Sequence, residues 1–409
     1  MGEPPTVSKA SGWGQRLRGW LFGIFIMGST LFGTLYLFIP FTPLIFFAPR
    51  AWRRYADYMN GLWHSMAAGT VRLLFGVKAR VIGDRIDPNE MAIYIMNHRT
   101  SLDWFFFWNA LYQQDPLLNQ TEKIALKGIG KHCPGAGWAM QCNSFIFLDR
   151  NFEKDKEKIR RLIDYYVGIG NNYQLLLFPE GTDRCPISVE SNERYAAKVG
   201  LKPYSYVLHP RTTGFTHIVQ QMRKSGKLKA IYDVSVGYKD KIVQTETDII
   251  FEGVAPKEVH FQIVRVPIDQ LPHQDEEVAE WITKRWADKE EKLRRFYDTP
   301  RDQTFDNTPH GKEYELKPNA ERWNNIAVAT WAIATFSWMF GVLPFPMLSW
   351  FSFYGVLFYL IVTAVYGGVE FLVIERFRAW KASGDQKWDW DVVPRIFHRI
   401  SEKLPLGLF

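Results

Sequence analysis

The stretch YIMNHRTSLDWFFFW, Tyr94 to Trp108, is apolar to Met96, breaks at Asn97-His98, and turns bulky and apolar again after Asp103. A strand that ends at Met96 and a helix that starts near Ser101 account for this texture. His98 then lies in the connecting turn, and Asp103 lies in the first turn of the helix. Within one continuous helix an i,i+5 pair diverges, whereas across a strand-to-helix turn the two side chains can meet. Asp103 would then hydrogen-bond one ring nitrogen of His98 and fix its tautomer. It would also stabilise the imidazolium formed when the other nitrogen takes a proton. This is the base half of a catalytic triad without a nucleophile of its own, so the hydroxyl would come from a substrate. The same residues also fit an ordinary turn capped by Asn97, with His98 in solvent.

Further along, LLLFPEGTDR (Leu175–Arg184) is an apolar strand running into Pro179-Glu180-Gly181-Thr182. Glycine lets the backbone approach a ligand closely, and Thr182 with the backbone amides suits a phosphate or an oxyanion. A turn at the carboxyl end of a strand is where α/β sheets bind ligands. Between the two fragments lies SFIFLDR (Ser144–Arg150), another short strand leading to a base. A guanidinium there can clamp a phosphate through two hydrogen bonds; an ordinary surface arginine fits as well. Lys123, Lys127 and Lys131 recur at four-residue steps. In a helix they form one basic stripe for phosphates, although Gly128 and Gly130 weaken that helix and a solvated face suits Lys123 and Lys131.

Short apolar runs at Ala92–Met96, Phe145–Leu148, Leu175–Phe178, Asp233–Tyr238 and Val259–Val266 read as strands. Charged helical stretches such as KDKEKIRRLIDYYVG and DEEVAEWITKRWADKEEKLRRFY separate several of them. The alternation predicts a layered α/β domain, a central sheet with flanking helices, over 78–300. On either side the texture suits a membrane. No charge interrupts Leu21 to Ala48, a run longer than the roughly 20 residues that span a bilayer. It predicts a membrane helix over about Trp20–Ile39 with a kinked exit at Pro40 and Pro43; a bent hairpin that dips in and returns also fits. Bases and aromatic residues interleave from Arg50 to Arg80, as in an interfacial helix or an amphipathic core helix. Together these form an N-terminal anchor over 1–77. A polar linker occupies 301–325. Ile326 to Val369 is again free of charge and is divided at LPFPM. This predicts a transmembrane helical hairpin over 326–375 and an interfacial tail over 376–409.

Charged residues make up 23% of the 409-residue chain, and the mean hydropathy is −0.19. That is too polar for a polytopic transporter and suits a water-facing domain with a few membrane segments. The aromatic share, 16%, fits Trp and Tyr placed at a lipid–water boundary. A net charge of +7 suits anionic lipid or phosphate-bearing ligands, and no nucleic-acid motif is present. Cys133, Cys142 and Cys185 are odd in number and form no CxxC pair, which argues against a disulfide framework or a zinc site.

Together, and in this order, the three fragments resemble the glycerophospholipid acyltransferase family. Its first motif is Asn-His, four residues, Asp, here Asn97, His98 and Asp103. Its second ends in Phe, an apolar residue, any residue and Arg, here Phe147 to Arg150. The Gly that often opens this second motif is not evident, and Ser144 stands near its place. The third is Phe178 to Thr182. FGVK, PGAGWAMQ and HPRTTGF (His209–Phe215) look like the branch containing the lysocardiolipin and lysophosphatidylinositol acyltransferases. HPRTTGF occupies the region where lysophosphatidate acyltransferases carry a Val-Pro element.

The resemblance implies an acyl-CoA-dependent transfer to a lysophospholipid hydroxyl, with His98 and Asp103 catalytic. It implies Asn97, Lys127, Arg150, Glu180, Gly181, Thr182 and Arg211 as substrate-binding residues. Acyl-CoA enters as co-substrate, with no cofactor and no metal; the other partners are a lysophospholipid and membrane lipids. The implied location is the endoplasmic reticulum membrane, multi-pass. The bases between Arg50 and Arg80 put the catalytic domain in the cytosol by the positive-inside rule. Two rival expectations stand beside this one. One is the same chemistry on lysophosphatidate or lysophosphatidylglycerol. The other is a catalytically inactive lipid-binding membrane protein, against which the presence of both His98 and Asp103 counts.

Overall fold

A parallel strand covered on both faces needs apolar residues along its whole length, and the run before Asn97 has them. The computed structural model describes residues 2–4, 6, 12–300, 304–305, 312–342 and 344–382. Among these, the strands are β1 (Lys78–Gly83), β2 (Met91–Met96), β3 (Glu122–Lys127), β4 (Ile146–Leu148), β5 (Gln174–Leu177), β6 (Leu228–Tyr238), β7 (Glu258–Pro267) and β8 (Lys312–Tyr314). Of the expected linker at 301–325, residues 301–303 and 306–311 lie outside the described residues, while the rest includes β8 and the start of the helix Pro318–Ser337; of the tail at 376–409, residues 383–409 lie outside. The chain forms two compact units. One comprises Met1–Gly23, Ala68–Asp115 and Asn172–Lys317; the other comprises Ile24–Ala67, Pro116–Asn171 and Pro318–Phe409.

The first unit carries the sheet order β5-β2-β6-β7-β1-β8. β2 pairs in parallel with β5 and β6, β6 with β7 antiparallel, and β7 with β1 in parallel. β2 therefore lies between two neighbours, and Ile93, Tyr94 and Ile95 are fully buried. The helix after it opens at Asp103, two residues later than expected, and runs to Gln114. It lies on the sheet through Phe107, whose ring meets Tyr94 edge-on at 5.4 Å and Phe261 of β7 at 5.6 Å. The charged stretch near residue 280 is a helix, Asp275–Asp298. Its buried residues Val278, Ile282, Trp286, Lys289 and Leu293 recur at three- and four-residue steps, which is one helix face. Lys289 is wholly buried and pairs with Asp233 of β6 at 2.6 Å, which fastens this helix to the sheet.

In the second unit β3 and β4 pair in parallel, with Lys127 opposite Leu148. The helix Phe152–Ile169 follows; the Asn151 side chain accepts from Lys154 N at its start, and Gly170 ends it at φ 89°. The lysines at 123, 127 and 131 do not form a helical stripe. Glu122–Lys127 is a strand, and the Gly128–His132 turn follows it. Lys123 is fully buried against Asp57 (2.7 Å) and Asn143 (2.5 Å). Lys131 is buried against Glu370, with the Phe147 and Phe371 rings about it at 5.1 and 5.2 Å. A solvated face for these two lysines is thus overturned. Each meets a carboxylate far away in the chain, and that partner makes burial tolerable.

Among the described residues, two helical segments are long and apolar enough to cross a membrane, Trp13–Phe41 and Pro346–Tyr366. Within the second unit they are joined by Tyr36, whose hydroxyl donates to Leu348 O (3.0 Å), and by Tyr359, which donates to Thr34 O (3.1 Å). The helix Pro318–Ser337 precedes the break near Pro344, and of the described residues in the expected hairpin over 326–375 only Pro346–Tyr366 is long and apolar enough to cross.

Ser144 explains the glycine that the second motif usually carries. Its φ is +56°, in the left-handed region where a side chain is strained. Its Oγ accepts from the buried Arg53 guanidinium at 2.9 Å. Ser144→Ala keeps the strain and loses the hydrogen bond, whereas Ser144→Gly loses the bond and sheds the strain. Ser144→Gly should therefore unfold at a higher temperature than Ser144→Ala in detergent, by the equivalent of about 1 kcal/mol. The reverse order would show the backbone strain to be negligible.

Candidate active site

The two turns expected to carry chemistry both follow the carboxyl ends of parallel, adjacent strands. The Asn97–Leu102 turn follows β2, and the Phe178–Arg184 turn follows β5. The break in hydrophobicity at Asn97 comes where β2 leaves the sheet. Asn97 itself is buried and doubly bonded to β6, donating to Val236 O (3.0 Å) and accepting from Val236 N (2.8 Å). Its amide is spent on fastening the turn to the sheet.

His98 Nδ1 lies 3.0 Å from Asp103 Oδ2. The Asp103 carboxyl is fully buried and accepts from three further donors. Thr100 N reaches Oδ2 at 3.0 Å, Thr100 Oγ1 reaches Oδ1 at 3.2 Å, and Tyr238 OH at the end of β6 reaches Oδ1 at 2.6 Å. Burial and the nearby Asp103 charge hold the Tyr238 hydroxyl protonated, so it donates. A carboxyl that accepts at every position is a carboxylate, and the fourth donor is then His98 Nδ1–H. That tautomer leaves the Nε2 lone pair free, and among the described residues Nε2 has no hydrogen-bond partner. The ring is stacked on Phe178 at 4.0 Å and 25°, which fixes its plane. The arrangement is an imidazole held by a buried carboxylate through Nδ1, with Nε2 outermost.

Glu180 is also buried, and it faces protein on both oxygens. Oε1 accepts from His98 N (3.2 Å) and Trp286 Nε1 (3.1 Å), and Oε2 accepts from Leu208 N (3.0 Å). Burial pushes its carboxyl up to about 7, against the opposing pull of these donors. It joins the β2 turn, the β5 turn and the segment before Arg211. Gly181 has φ +74°, and a Cβ there would sit 3.0 Å from Arg211 Nε. Arg211 N donates to Pro179 O (2.7 Å), so the expected headgroup residue does lie on this turn. Its guanidinium is exposed and has no hydrogen-bond or ion-pair partner among the described residues. Among the described residues, Thr182 Oγ1 makes only a long contact with Asp183 (3.4 Å).

Lys127 and Arg150 belong to the other unit and stand at the carboxyl ends of the paired strands β3 and β4. Both are exposed. Arg150 has φ +62°, held by Asp155, which accepts from Asp149 N (2.9 Å) and Asn151 N (3.2 Å) on either side. A strained backbone that projects a base outward is of the kind kept at binding sites. The sequence reading missed Thr100, Tyr238 and Trp286. A visible signal existed for Tyr238 alone, a polar tip at the carboxyl end of a strand already recognised.

A family model described as acyltransferase matches residues 78–239, and one described as acyltransferase C-terminus matches residues 249–331. Lysophosphatidylinositol acyltransferase 10 of Caenorhabditis elegans is 36% identical over 378 residues, covering 91% of this chain and 92% of its own. Lysocardiolipin acyltransferase 1 of Gallus gallus is 36% identical over 357 residues, 87% of this chain and 93% of its own. The Danio rerio protein of the same name is 40% identical over 282 residues, 69% of this chain and 72% of its own.

The Glu180 environment sets a pH dependence of stability. Its carboxyl moves from the ordinary 4.5 up to about 7 on folding, by burial. Between those values the folded chain holds a proton that the unfolded chain has lost. This contribution to stability is therefore full at low pH and is lost as pH rises through about 7. Glu180→Gln removes the titration. The melting temperature of wild type relative to Glu180→Gln should fall between about pH 5 and pH 8. A constant difference across that range would show that Glu180 is ionised throughout.

Proposed function

The chain belongs to the acyltransferase family, and from that premise we propose that it re-acylates a lysophospholipid of the lysophosphatidylinositol or lysocardiolipin type, using acyl-CoA as donor. The observation that carries this reading is the His98–Asp103 pair, whose outer nitrogen has, among the described residues, no partner and no serine or cysteine nucleophile bonded to it. A base so placed acts on a hydroxyl that the substrate brings. His98 Nε2 takes the proton of the free glycerol hydroxyl as its oxygen attacks the thioester carbonyl, and the CoA thiolate leaves. Asp103 holds the tautomer and balances the imidazolium charge. Arg211 with the Gly181–Thr182 turn takes the phosphate-bearing headgroup. The names of the relatives support the acceptor class. The two apolar helices support a membrane location, and we assign the enzyme to the endoplasmic reticulum membrane with its site on the cytosolic face.

Purified protein incubated with labelled acyl-CoA and a panel of lysophosphatidylinositol, lysocardiolipin, lysophosphatidate and lysophosphatidylglycerol tests the reading. Transfer to none of them would remove it, and preference for lysophosphatidate would move the chain to a different substrate class. Without lysolipid no acyl group should become covalently attached to the protein. His98→Ala should lower turnover by about 10²–10⁴-fold, the usual worth of a general base. Tyr238→Phe takes one donor from the Asp103 carboxylate and should lower kcat by about 10-fold with little change in KM. Arg211→Lys should change the ratio of kcat/KM between lysophosphatidylinositol and lysophosphatidate. An equal loss on both acceptors would make Arg211 structural.

A further inference from the structure

Arg99 follows His98 directly, and Arg184 closes the Phe178–Arg184 turn. Their backbones are joined. Arg184 N donates to the His98 carbonyl at 2.8 Å, and Arg99 Nη1 donates to the Arg184 carbonyl at 3.0 Å. Both guanidinium groups converge on one carboxylate, that of Glu3. Arg99 binds it through Nε to Oε1 (2.9 Å) and Nη2 to Oε2 (3.0 Å), and Arg184 Nη1 shares Oε2 at 3.0 Å. Glu3 lies in the stretch before the first apolar helix, and Thr6 of that stretch bridges in parallel to Ile242. Gln244 completes the arrangement. Its side-chain carbonyl accepts from Arg99 Nη1 (3.0 Å), its amide donates to Asp183 (2.8 Å), and its backbone carbonyl accepts from Ser101 N (3.0 Å).

The Arg99 side chain is only 7% exposed, so water screens it poorly. Burial works against its charge, and the Glu3 carboxylate, with smaller contributions from Tyr297 and Asp103, more than offsets that effect. Two cations that meet at one oxygen repel each other once the anion is removed, and the repulsion is strong where solvent is excluded. Arg99 is covalently next to His98, and Arg184 is hydrogen-bonded to its carbonyl. Any separation of the two arginines therefore pulls on the catalytic turn.

We propose that Glu3 is a positioning residue for that turn: its carboxylate neutralises the Arg99–Arg184 pair and thereby keeps His98 on Asp103. The inference rests on the reading of His98 as the base. Nothing in the motifs marks Glu3, which stands outside both matched regions.

The test uses the full chain in nanodiscs, with acyl-CoA and lysophosphatidylinositol each titrated. Glu3→Gln should lower kcat by about 10-fold or more while both KM values stay within about twofold. Glu3→Asp, which keeps the charge, should recover part of the loss. Arg184→Gln added to Glu3→Gln should raise kcat above that of Glu3→Gln alone, because it removes one of two uncompensated charges. A general packing defect is not relieved by a second lesion. Amide hydrogen exchange gives a readout independent of turnover: Arg184 and Ser101 should exchange faster in Glu3→Gln, and the amides of β7 should not. An unchanged kcat in Glu3→Gln would overturn the proposal. A rise in kcat, which makes Glu3 a blocking group, would overturn it too, as would no recovery in the double variant. If the wild type transfers no acyl group to any lysolipid, the functional reading fails separately. The exchange measurement then decides alone whether Glu3 holds the turn.

Discussion

Four hydrogen bonds into the buried carboxylate of Asp103 hold the candidate site together. A carboxylate removed from water is expensive unless its lone pairs are filled, and three of its four donors come from the turn that carries it. The fourth, Tyr238, comes from β6. The charge is thus fully satisfied only when β2 and β6 are paired in register, and Asn97 fastens the same two strands through Val236. The orientation of the His98 ring is in this way coupled to the pairing of the sheet.

Glu180 uses the same physics for a different task. Its three N–H donors come from the β2 turn, from Leu208 and from Trp286 on the Asp275–Asp298 helix. That helix is anchored by the buried Lys289–Asp233 pair on β6, and Lys289 also lies over the Trp286 ring at 4.9 Å. The region matched by the C-terminal family model therefore frames the turn on which the third motif lies. A glutamate in the middle of the third motif acts here as a bracket, which leaves the exposed Arg211 and the backbone around Gly181 on the outside of the turn.

In the second unit the polar residues are likewise arranged by burial. Arg53, Asp57, Lys123 and Asn143 form one inaccessible network, with Arg53 to Asp57 at 2.8 Å. Lys131 and Glu370 form another. Such pairs add little net stability against apolar alternatives, but losing one partner strands a charge and is costly. They tie the strand pair β3–β4 and the turn after β3 to helices from both ends of the chain. Lys127 and Arg150 are thereby left exposed at the strand ends.

The strand before Asn97, the strands before Pro179 and Asp149, the two long charged helices and the two apolar ends are all legible from letters alone. Each depends on local periodicity and on the cost of burying or exposing a single segment, and these are properties of consecutive residues. The His98–Asp103 contact is legible for the same reason, since five residues across a turn is still local. Strands β1, β3 and β8 escaped notice because their charged residues hide the apolar face; Lys123 in β3 reads as surface until Asp57 is beside it. Trp286 and Glu3 were beyond reach altogether, and Tyr238 showed only a polar tip at the end of a recognised strand. A hydroxyl, an indole N–H and a carboxylate acquire roles only from the donor or acceptor they meet. Those partners are brought within 3 Å or so by the sheet and its covering helix, not by the neighbouring chain.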